Sequence, residues 1–123
     1  MLVPIALGAL SVLCGVLLLW FARALATDRI RRNVATADEG ERRSVIWQSD
    51  ETWFAAHRAQ APYLVAGAVG ELVAAVVCVV ALVVAEPGRE VPVSLGAFTI
   101  ALLWVLLCCI VGGLHGQLAA RRV

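Results

Sequence analysis

Glu71 is the residue in this sequence whose type and place most invite chemistry, because it is the one charged side chain inside the apolar run from Tyr63 to Ala85. By insertion scales an acid at the centre of a membrane helix costs roughly 2.5–3.5 kcal/mol, and such acids usually face protein or water. Gly67, Gly70, Ala74, Ala75 and Cys78 surround it at helical spacing, and all are small. A stripe of small residues lets another helix approach, so Glu71 is expected to point into a helix interface. It lies eight residues beyond Tyr63, about 12 Å deep at a rise of about 1.5 Å per residue. Cys14 and Leu106 fall at the same depth on the other two apolar runs, and no arginine does. A carboxyl so placed is expected to keep its proton and to bond Ser11, Trp104 or a backbone carbonyl. Two roles remain open, a proton-linked or ligand-binding acid and a plain interhelical hydrogen-bonding group.

A second group lies between Ser44 and Pro62. Ser49 followed by Asp50, Glu51 and Thr52 reads as a helix start, with a capping side chain and acids where the helix dipole favours them. Trp53, His57 and Gln60 or Ala61 then share one face, and Pro62 is expected to end a short helix over about 49–61. With Trp47 and Phe54 nearby, this helix is expected to lie at headgroup depth. His57 suits a pH-responsive or ligand-binding role, but an interfacial histidine without chemistry is the more economical reading. No phosphate-binding glycine loop, nucleophile with its base, or metal-ligand spacing is present, so neither an enzyme nor a cofactor is expected.

The elements that position these residues follow from composition. Of the 123 residues, 62% are apolar and 15% charged, against roughly 45–50% and about 25% in soluble domains. The excess is expected to face lipid. Met1–Ala22 carries no charge and is long enough, at roughly 33 Å, to cross a hydrocarbon core of about 30 Å. A cleaved signal peptide fits less well, since Arg23 follows the apolar run instead of preceding it. The further runs at 63–85 and 91–114 are joined by Glu86-Pro87-Gly88-Arg89-Glu90, a tight turn that predicts an antiparallel hairpin. The expected fold is an all-α membrane protein: a first transmembrane helix over 1–26, a loop over 27–62 with the interfacial helix, a transmembrane hairpin over 63–114 and a polar tail over 115–123.

Seven of the ten arginines and six of the nine acids fall between Arg23 and Pro62. Arginine collects on the cytoplasmic side, so the amino terminus and the Glu86–Glu90 turn are expected outside, and the loop and tail in the cytoplasm. The net charge of +1 argues against nucleic acid as a partner. Gly8, Ser11 and Gly15 give the first helix a small stripe, expected to pack on the Gly67, Gly70, Ala74 stripe of the second. The glycines Gly112-Gly113 allow close packing or a bend before His115. The four cysteines lie in apolar runs and read as small hydrophobes.

The pattern Gly40-Glu41-Arg42-Arg43, then Ser49-Asp50-Glu51-Thr52-Trp53 and His57-Arg58, with Asn33 upstream and a glycine-bearing apolar run following, resembles the SdpI family of bacterial multipass membrane proteins. In that family a G-x-R-T-like element precedes an S-x-E-x-W segment, with histidine or asparagine four residues on. Arg43 stands here in the threonine's place. The resemblance spans about a third of the chain, residues 33 to 70. It implies a small inner-membrane protein, associated with immunity or signalling, whose cytoplasmic segment from Asn33 to Arg58 recognises a target that the resemblance does not name. The loop is expected to contact a partner protein or membrane lipid headgroups, the helices a hydrophobic peptide or another membrane subunit, and homo-oligomerisation is compatible with three spans that bury little surface against one another. Two other functions are compatible with the residues: a small proton-coupled transporter or channel subunit using Glu71, and an accessory subunit of a larger membrane complex.

Overall fold

The computed structural model describes all residues except 34, 36–39 and 41–42. Its elements are α1 (Leu2–Ala26), a 3-10 turn (Val45–Trp47), α2 (Asp50–Val84) and α3 (Glu90–Arg121), with no strand among the described residues. All three helices are long and apolar enough to cross a membrane, so this is an all-helical chain of the multipass type.

Each helix end has a local cause. α1 stops where the Thr27 N–H and Oγ1 both donate to Arg23 O, at 3.1 and 2.7 Å. Asp28 turns left-handed there, with φ 55°, and the Arg29 N–H then reaches Ala24 O at 3.1 Å. This six-residue closure usually employs glycine; aspartate is among the few other residues that tolerate the conformation. α2 starts at a capping box: the Thr52 N–H donates to Ser49 Oγ and the Ser49 N–H to Thr52 Oγ1, each at 3.1 Å. Between α2 and α3, Gly88 at φ 88° closes the tight turn, and the Arg89 N–H donates to Glu86 O at 2.9 Å.

The expected separate interfacial helix over 49–61 is not formed. Those residues are helical, but they are the first turns of α2, which passes through Pro62 without a break. Proline removes one backbone donor and crowds the preceding turn. The turns on either side supply what offsets that cost, because Trp53, Ala56 and Ala61 are buried before Pro62 and Gly67 and Ala68 after it. The polar tail is likewise absorbed into α3, which runs to Arg121 because Gly116 and Ala120 are buried.

α2 occupies the middle. It packs along both α1 and α3, which touch each other only sparsely. Small residues set both approaches. A Cβ at Gly8 would stand 3.4 Å from the Cys78 Cβ, and one at Gly15 3.4 Å from Ala68 O. On the other side, a Cβ at Gly112 would lie 3.0 Å from the Tyr63 Cβ, and one at Gly116 2.9 Å from Ala56 O. The outward faces carry exposed leucine, isoleucine and valine along all three helices.

Candidate functional site

At 35 and 32 residues, α2 and α3 are about 52 and 48 Å long, well beyond the hydrocarbon thickness of about 30 Å. Both project at the same end, where α1 also finishes, and that end bears most of the arginines. There the chain builds a clasp around Trp53. Its indole N–H donates to Ile30 O at 2.7 Å, tying the segment after α1 to the first turn of α2. Arg32 adds a second tie, donating from Nε to Asp50 Oδ1 at 3.1 Å and from its terminal nitrogen to Trp47 O at 2.5 Å. Arg58 lies 3.5 Å from Asp28, a partly exposed pair worth little in itself.

Trp53 is therefore interior, only 8% exposed, and does not lie at the surface as the interfacial reading expects. Trp47 stands edge-on to it with ring centroids 4.7 Å apart, and the His57 ring lies on its other side at 4.1 Å. His57 Nδ1 contacts Trp53 O at 2.6 Å; since a carbonyl only accepts, Nδ1 carries the proton. The clasp thus gathers Ser49, Trp53, His57 and Arg58 from the predicted set. Glu51 stays exposed in the first turn of α2, and Asn33 and Gly40 are exposed. Arg42 lies outside the described residues. Sequence reasoning passed over Ile30, Arg32 and Asp50 as clasp members. Arg32 sits in an arginine cluster with no feature marking its target, and Ile30 contributes only a carbonyl.

The second place is inside the bundle. Glu71 is 1% exposed, and neither carboxyl oxygen has a hydrogen-bond partner. Ser11, also fully buried and without a partner for its hydroxyl, is held at the level of Glu71 by the contacts of Gly8 with Cys78 and Gly15 with Ala68. Neither expected side-chain partner bonds the acid. Trp104 donates its indole N–H to Ala66 O at 2.9 Å instead, with the Cδ1 edge of its ring set against Gly70, where a Cβ would collide with Trp104 Cδ1.

That same contact corrects the expected stripe pairing. Gly8 and Gly15 of α1 meet Ala68, Leu72, Ala75 and Cys78, whereas Gly70 serves α3 through Trp104, and Gly67 lies between Val105 and Cys108 of α3 and Leu18 of α1. Ala74 borders a wide apolar groove between α2 and α3. A helix with small residues on two faces separates its two neighbours, and the sequence offered no means of telling which stripe met which.

Where α1 and α3 fail to meet, a groove of about 370 Å³ opens with Glu71 at its floor and Cys14, Leu17, Leu18, Leu102 and Val105 as walls. Trp20 and Phe21 stand at its arginine-bearing end. At that end, too, the Tyr63 hydroxyl and His115 Nδ1 share a hydrogen bond of 2.5 Å between α2 and α3. Cys14, Cys78, Cys108 and Cys109 are free thiols. No family model, curated protein or solved structure matches this chain.

Proposed function

We propose that the chain is a non-enzymatic membrane binding module of the SdpI type, acting in immunity or signalling at a bacterial inner membrane, with its clasped end in the cytoplasm. The observation that supports this most is the Trp53 clasp. Two ties across 18 to 23 residues of sequence fix the residues just after α1 to the first turn of α2, an arrangement that a simple membrane anchor would not need. Around this frame, among the described residues, Arg29, Arg31, Arg43 and Arg58 are exposed together with Asp50 and Glu51, a mixed set of charges suited to a charged segment of a protein or peptide partner.

The test is protection of a sensitive bacterial host against secreted membrane-active peptides. The expected result is protection by the parent chain, loss on Trp53→Ala and retention on Glu71→Gln. Protection that is indifferent to Trp53 would remove the clasp from the mechanism, and absence of protection against a broad peptide panel would remove immunity.

A second reading is favoured by the buried acid. Polar groups in a protein interior almost always find a partner, and those that do not usually have a use. On this reading the chain is a proton-coupled transporter or channel subunit in which Glu71 loads and releases a proton. Proton-dependent flux in vesicles, abolished by Glu71→Gln and untouched by Trp53→Ala, is its signature.

A further inference from the structure

The groove between α1 and α3 has Glu71, whose buried carboxyl is unpartnered, in its lining. Its volume of about 370 Å³ falls within the roughly 300–1,000 Å³ range of small-molecule sites. The lining decides what could fill it. A lipid chain would satisfy the walls and leave the acid unpaired. An anion would find only the Trp20 indole N–H at the entrance and the weak Cys14 thiol as donors, with no cation to balance its charge, and a sugar would leave most of its hydroxyls unpaired against leucine and valine. One acceptor group on a hydrocarbon floor, with the exposed ring faces of Trp20 and Phe21 at the entrance, matches a single positive charge spread over an apolar body.

We propose that this groove binds lipophilic organic cations, with Glu71 as counter-ion and Trp20 and Phe21 guiding entry from the leaflet at the arginine-bearing end. The inference rests on the reading of Glu71 as a proton-exchanging acid. Binding breaks the carboxyl O–H bond, the proton leaves to water, and the cation takes its place, so the charge within the groove stays constant. Cys14 of α1 is the other titratable group at the groove, and α3 brings only Leu102 and Val105 to it.

The experiment uses the full chain in detergent micelles, with radiolabelled tetraphenylphosphonium as probe and tetraphenylborate as an anion of the same shape. Expected are saturable binding, one proton released per cation, no competition by tetraphenylborate, and at least tenfold weakening by Glu71→Gln. Leu102→Trp, which fills the groove without altering the acid, should weaken binding several-fold and keeps the test open if Glu71→Gln folds poorly. Binding that is non-saturable, or unchanged in both variants, overturns the proposal. Labelling of Glu71 by dicyclohexylcarbodiimide separates the two levels. A labelled Glu71 in a chain that binds no cation sinks the cation site and leaves the proton-exchanging acid; an unreactive Glu71 sinks both.

Discussion

Trp53 holds the arginine-bearing end together through two separable contributions, the hydrogen bond to Ile30 and the volume its ring fills between Trp47 and His57. Trp53→Phe keeps most of the volume and should cost about 1 kcal/mol, the usual worth of one hydrogen bond. Trp53→Ala loses both and should cost about 3–5 kcal/mol. Thermal unfolding in detergent gives the two values, and trypsin cleavage after Arg29, Arg31 and Arg32 should accelerate in the same order. The buried serines make the opposite prediction. Ser11 and Ser94 have no partner for their hydroxyls, so removing the oxygen relieves an unmet polar group. Ser11→Ala and Ser94→Ala should be neutral or stabilising by about 1 kcal/mol in the same melts; a loss of 2 kcal/mol or more would mean that these hydroxyls bond in the membrane. Residue types alone disclosed the acid, the cap and the aromatic cluster, because each carries its chemistry in its side chain. They could not disclose Ile30 or Ala66, whose part is played by a backbone carbonyl that any residue possesses.

For the elements, the instructive case is Pro62. A local rule reads proline as a stop, and α2 ignores it, because carrying proline inside the helix costs less than unpacking the buried residues on either side. Pro62→Ala restores a donor to Arg58 O and should raise stability by up to about 3 kcal/mol; an unchanged or lowered melting point would show that the missing donor is used. The α2/α3 contact offers a matched pair. A Cβ at Gly116 would lie 2.7 Å from Gln60 Nε2 and 2.9 Å from Ala56 O, whereas Gly113 has nothing within 4 Å. Gly116→Ala should therefore cost about 1–3 kcal/mol, and Gly113→Ala should be neutral or gain up to about 1 kcal/mol from better helix propensity. The three spans and the turn at Gly88 were legible because long apolar runs and a Pro-Gly pair are unmistakable. The Gly112-x-x-x-Gly116 spacing is equally visible in the letters, but the adjacent Gly113 is the same residue type, and only the packing shows that Gly112 and Gly116 meet α2 while Gly113 does not.

Across the whole molecule, one end is dense in charge and the other presents the amino terminus and the short turn around Gly88. With the dense end in the cytoplasm, a membrane-impermeant maleimide applied from outside should label a cysteine placed at Gly88 and spare one at Gly40. The reverse pattern would invert the orientation. The four native thiols lie within the helices and are best removed from the background first. The sparse contact between α1 and α3 bears on how the molecule is put together. Since α1 is held by the Gly8 and Gly15 notches on α2 and by the Ile30 and Arg32 ties, its place depends on surfaces it would still carry as a separate chain. A gene split so that one product ends after Asn33 and the other begins at Ser44 should yield two fragments that find each other in the bilayer and reconstitute the bundle.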